Sequence, residues 1–76
     1  MWFKAFFTAA EDGMKFRHYK GGIYQMVCEA HLEAEPNIMM VVYQSSDGTI
    51  WTRPKQVFFE EVMHEERLVP RFASID

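Results

Sequence analysis

The 76-residue chain holds one cysteine, Cys28, so no disulfide can form within it. Stability must come from packing, which suits a reducing compartment and points to the cytoplasm. No apolar run approaches the roughly 20 residues that span a bilayer, and the opening Met1-Trp2-Phe3-Lys4 lacks the pattern of an export signal. Positive charge is scarce: eight Lys and Arg stand against 11 Asp and Glu, a formal charge of −3. That balance excludes bulk coating of DNA, which needs excess cation, but leaves room for a local basic patch. There is no repeat, low-complexity tract or linker, so residues 1–76 are expected to form a single domain.

Apolar residues are abundant, at 49% hydrophobic and 16% aromatic. A chain this short buries only about 60% of its unfolded surface. The aromatic supply exceeds what one small core hides, so some rings are expected to face a partner or a second copy.

Along the chain, Phe3, Phe6, Phe7 and Ala10 fall at helical spacing before Asp12-Gly13. They form either a core stripe or a docking stripe for a protein partner or for self-association; burial is the commoner fate of such stripes. A short strand is expected over residues 16–19, followed by a Lys20-Gly21-Gly22 turn. From Ile23 the pattern alternates: Tyr24, Met26, Cys28, Ala30, Leu32 and Ala34 point one way, and Gln25, Glu29, His31 and Glu33 mostly the other. A helix there would set Glu29 against Glu33 at i,i+4, so a strand is expected.

Pro36-Asn37 reads as the next turn, and residues 38–43 as a strand covered on both faces. Asp47-Gly48 suits a two-residue hairpin, which pairs Gln44 with Trp51, Tyr43 with Thr52 and Val42 with Arg53. Gln44, Trp51 and Arg53 would then share one face. Pro54 can open a helical turn through Phe58, residues 59–63 return to strand, and His64-Glu65-Glu66-Arg67 forms a loop. Residues 68–72 close the domain as an edge strand that tolerates Pro70. The expected fold is mainly β: a small antiparallel, SH3-like, partly open barrel with one short helical turn.

The segments 17–24 (Arg17-His18-Tyr19-Lys20-Gly21-Gly22-Ile23-Tyr24), Val41-Val42-Tyr43-Gln44, Trp51-Thr52-Arg53-Pro54, Phe58-Phe59 and Val69-Pro70-Arg71-Phe72 follow in that order. Together they resemble the small bacterial and phage domain of unknown function 1653 family, from about residue 16 to 72. Residues 1–13 lie outside the resemblance. It implies a compact, β-rich, barrel-like domain and supplies no activity. The positions that match its pattern are His18, Tyr19, Lys20, Gly21, Tyr43, Gln44, Trp51, Arg53, Pro54 and Phe58.

The residues best suited to hold a ligand are His18, Lys20, Gln44, Trp51 and Arg53. Cations and free N–H groups at a glycine turn or a helix start hold anions, Trp51 can stack on a planar group, and Gln44 can bond its edge. The plainer alternative has Trp51 plugging the barrel and Arg53 paired with Glu60 or Glu61. Lys20-Gly21-Gly22 lacks the spacing of a phosphate loop. Glu29, His31, Glu33 and Glu35 alternate along one strand, but metal sites draw ligands from several elements, so no metal is expected. Cys28 on an apolar face is a poor nucleophile, and the adjacent Glu60-Glu61 would diverge if both lie in a strand.

The expectation is therefore a non-enzymatic binding module without a cofactor, with protein or peptide recognition through exposed aromatics and a sheet edge. The alternative is a nucleotide or another phosphate-bearing small ligand.

Overall fold

The computed structural model describes residues 14–75. The stripe of Phe3, Phe6 and Phe7 lies outside the described residues. Strand β1 (Lys15–His18) turns into β2 (Ile23–Leu32), which returns as β3 (Glu35–Ser45) and β4 (Ile50–Pro54). A one-turn helix α1 (Lys55–Phe58) follows, then β5 (Glu61–His64), β6 (Arg67–Pro70) and β7 (Phe72–Ser74). Five strands form one antiparallel sheet in the order β4-β3-β2-β1-β7, and β5 and β6 form a separate two-stranded ribbon. The mainly β expectation with one helical turn holds; the sheet does not close into a barrel.

The helical turn sits where the sequence places it. Pro54 (φ −55°) precedes it, and its preset φ and missing N–H suit a helix start. The turn carries Phe58 onto the inner face of the sheet, where it is 0% exposed. Phe58 stacks on Phe72 at 4.1 Å and 3°, and meets Phe16 and Tyr43 edge-on at 5.3 Å each. Met26 and Val41 complete the buried cluster. Removing an interior phenyl costs about 3–5 kcal/mol, of the same order as the stability of a domain this size.

Several local expectations are corrected. The β2–β3 turn is at Glu33-Ala34, and Pro36-Asn37 lies within β3. A bulge at Val27 breaks the alternation of β2, because Met26 faces Tyr43 whereas Cys28 faces Val42 and Glu29 faces Val41. Cys28 thereby leaves the inner face and Glu29 joins it, pairing with Lys55 at 3.0 Å. The final strand is two. β6 pairs with β5, Arg71 interrupts, and β7 pairs with β1. Arg71 ties the two sheets together: its N–H donates to Glu60 O and its carbonyl accepts from Tyr19 N–H.

The Asp47-Gly48 hairpin differs in a way that matters more. The loop holds three residues, 46–48, and Ser45 N–H donates to Thr49 O at 3.0 Å. Gly48 takes φ +90°, the positive value that closes a three-residue loop with a bulge. Asp47 Oδ1 accepts from Ser45 Oγ–H (2.6 Å) and Thr49 N–H (3.0 Å). Those hydrogen bonds, Ser45 first, hold its carboxyl below the ordinary range. The added residue slips the register by one, so Gln44 faces Ile50, Tyr43 faces Trp51 and Val41 faces Arg53.

The ribbon turn is strained. Glu65 and Glu66 sit at φ 52° and 66° between His64 and Arg67, in a two-residue hairpin built for Asn-Gly. A non-glycine residue in this region costs about 1–2 kcal/mol. Replacing the pair by Asn-Gly (Glu65→Asn, Glu66→Gly) is expected to raise the unfolding free energy by about 1 kcal/mol, read from the urea midpoint at unchanged m-value.

Candidate functional site

The slipped register gathers the site. In antiparallel pairing, opposed residues share a face. Phe16 and His18 of β1 face Tyr24 of β2 and Phe72 of β7; Tyr43 of β3 faces Trp51 of β4, and Val41 faces Arg53. These are the inner-face positions, and the buried cluster of Phe16, Met26, Val41, Tyr43, Phe58 and Phe72 occupies one part of them. Beside that cluster, His18, Tyr24, Tyr43, Trp51, Arg53 and Phe72 line a recess of about 150 Å³. A wider recess of about 360 Å³ between β3 and α1, lined by Asn37, Met39, Pro54 and Gln56 among others, contains none of the expected ligand residues.

Three of the five expected ligand residues thus meet. Gln44 does not join them: it stands on the opposite face, where its amide donates to Gly48 O at 3.3 Å. Lys20 is exposed outside the recess, its ammonium 5.8 Å from the Tyr19 ring. The glycine turn offers little to an anion. Tyr19, Lys20 and Gly21 N–H donate to Arg71 O, His18 Nδ1 and His18 O respectively. Gly21 supplies the positive φ of 111° that this turn requires.

Trp51 does not plug a core. It is 49% exposed at the rim, its indole N–H bonded to Ser45 Oγ at 3.0 Å, which leaves the ring face open. Phe58 fills the interior instead. Arg53 does not pair with Glu60 or Glu61: Glu60 engages Arg71 at 3.5 Å. Arg53 Nε–H donates to the Tyr43 hydroxyl at 3.2 Å, and the guanidinium carbon stands 6.0 Å from the Phe72 ring centre. Among the described residues it has no carboxylate partner.

His18 forms the opposite wall, 4.8 Å from the Phe72 ring and 4.6 Å from Tyr19. Because Nδ1 accepts from Lys20 N–H, the ring proton of the neutral form resides on Nε2. Burial, then Arg53, Arg71 and Lys20 in that order, hold its pKa below the ordinary value. The local field is therefore positive in a chain of net charge −3.

Sequence reasoning missed Tyr24, Tyr43 and Phe72 as pocket walls; the two-residue hairpin would have put Tyr43 on the face away from Trp51 and Arg53. Tyr24 alternates with Met26, a signal for the inner face, but nothing local distinguishes a wall from a core ring. Its position also depends on Gly22, where an added Cβ would lie 3.0 Å from the Tyr24 ring.

A family model matches residues 14–74, and its description is a protein of unknown function (DUF1653). The chain belongs to that family. No curated protein and no solved structure matches it. All six pocket residues lie within the matched range.

A His whose folded pKa is depressed is neutral in the folded state while the unfolded chain takes up a proton. Its contribution is thus full above the unfolded value of about 6.5 and is lost as pH falls through the folded value. His18→Gln is therefore expected to flatten the fall in Tm between about pH 7 and pH 5, measured by thermal melts of both proteins at matched ionic strength.

Proposed function

We propose that this domain is a cytoplasmic binding module without chemistry of its own, of the small open-barrel, SH3-like kind, that recognises a protein or peptide segment. The observation that carries this reading is Trp51, half exposed on the edge strand β4 and directly above the Arg53 pocket. Among the described residues no strand pairs with the outer edge of β4. An edge of that kind can add an extended segment through main-chain bonds while a pocket takes one anchoring side chain. Ile50 pairs with Gln44 on the opposite face of the sheet and does not belong to this surface.

Two groups that chemistry could use are turned away from the recess or already engaged. Cys28 is on the sheet face away from His18, and His31 Nδ1–H is engaged with Pro36 O at 2.7 Å. Among the described residues no three His, Cys, Asp or Glu side chains cluster as metal ligands, and no helix is long and apolar enough to cross a membrane.

The second reading, a phosphate-bearing small ligand, is favoured by Arg53, which has no carboxylate partner among the described residues. Pockets for whole small ligands measure about 300–1,000 Å³. A recess of about 150 Å³ admits one group of such a molecule and leaves the rest outside. Size therefore favours an anchored segment over an enclosed nucleotide.

Selection of random peptides on the immobilised domain tests the reading. Enriched peptides are expected to shift the amides of β4 in NMR spectra and to lose at least about tenfold in affinity for Trp51→Ala, the loss typical of a buried aromatic anchor. Peptides that bind Trp51→Ala equally well, or no enrichment at all, would overturn it; self-association through the same edge would appear as concentration-dependent shifts without peptide.

A further inference from the structure

We infer that the recess beneath Trp51 is a socket for one oxyanion, a carboxylate or phosphate group, gripped by the Arg53 guanidinium and the Tyr43 hydroxyl. This deepens the peptide reading, on which it rests for the location of the site, by naming the chemistry of the anchor.

The argument starts from donors and acceptors. The six lining residues include no carboxylate and no amide side chain. Arg53 carries five N–H donors, of which Nε–H reaches Tyr43. The ion pairs among the described residues join Lys55 to Glu29, His64 to Glu65 and Arg71 to Glu60, and none takes Arg53. Tyr43 accepts from Arg53 and keeps its own proton to donate. The lining thus offers donors and no anionic acceptor, beside the ring of Phe72.

Size and charge narrow the occupant. About 150 Å³ corresponds to about five waters at their liquid volume, room for a carboxylate or phosphate group. A methylammonium group, the usual guest of aromatic cages, would meet Arg53 inside, with Lys20 and Arg71 close enough to act on His18. A purely apolar anchor would cover the guanidinium and leave its N–H groups without partners. A planar carboxylate or a phosphate answers each donor, and guanidinium geometry matches both.

An oxyanion would also act on His18. Burial, Arg53, Arg71 and Lys20 depress its titration, and an anion among them opposes the three cations. The other titratable groups around it are Tyr24 of β2, Tyr43 of β3, Tyr19, and His64 of β5 across Tyr19. None of these is a carboxylate, so a bound anion is expected to raise the His18 pKa.

The test titrates the full chain with inorganic phosphate, acetate, chloride and methylammonium at constant ionic strength, following Arg53 Nε–H and Trp51 Nε1–H by NMR. Saturable shifts are expected with an oxyanion and not with chloride or methylammonium, together with a raised His18 pKa at saturating acetate. Arg53→Gln is expected to weaken binding at least about tenfold, and Tyr43→Phe several-fold, in line with lost charged and neutral hydrogen bonds. Should Arg53→Gln fail to fold, Tyr43→Phe and the His18 titration decide the matter. Equal shifts with chloride, wild-type affinity in both variants, or an unmoved His18 pKa would overturn the socket. A preference for phosphate of about tenfold over acetate would assign the anchor to a phosphate group, and parity or the reverse to a carboxylate. Selected peptides that bind with an amidated C-terminus and without any acidic or phosphorylated residue would overturn the socket while leaving the peptide reading intact. Oxyanion binding that no selected peptide displaces would do the opposite.

Discussion

The positive φ of Gly48 closes a three-residue loop, and that loop decides which side chains of β3 and β4 share a face. Asp47 locks the loop by accepting from both Ser45 and Thr49. A strand has a side-chain period of two, so one residue more or less in the loop inverts every side chain of the following strand. With the loop as it is, Trp51 and Arg53 point to the inner face beside Tyr43. With a two-residue loop they would accompany Gln44 on the other face, and the recess would lose two walls, its guanidinium among them.

The same inner face has to fill a core and leave a recess. Phe58 resolves the conflict: delivered by the one-turn helix after Pro54, it covers Phe16, Tyr43 and Phe72 from above but does not reach Trp51. Phe72 then serves twice, stacked on Phe58 on one side and standing against His18 and Arg53 on the other. The bulge at Val27 makes the complementary adjustment in β2, turning Glu29 inward to meet Lys55 and Cys28 outward. A carboxylate on the inner face is thus neutralised by Lys55, while Arg53 has no such partner among the described residues. That asymmetry gives the recess its positive field in an acidic protein.

Much of this was legible in the residues. The strand character of residues 23–32, the helical turn after Pro54 and the grouping of His18, Trp51 and Arg53 as ligand candidates came from alternation, proline geometry and side-chain chemistry. The errors have a common source: a loop length, a bulge and the interruption of the strand at Arg71 each shift a register by one or two residues without altering the apolar pattern much. Gln44 was misplaced because Asp-Gly suits both a two- and a three-residue loop. Trp51 as a core plug failed because which of several aromatics fills an interior depends on which one the chain folds over it.

The sequence by itself determined the class of the fold, the positions of most turns and the kinds of side chain available for binding, because these follow from local sterics and periodicity. The tertiary structure alone decided which of those side chains meet. That depends on register and on the contact between α1 and the sheet, where residues distant in sequence compete for one small surface. Arg53 bonds to Tyr43 and Arg71 takes Glu60 only once folding has brought each pair together from separate segments of the chain.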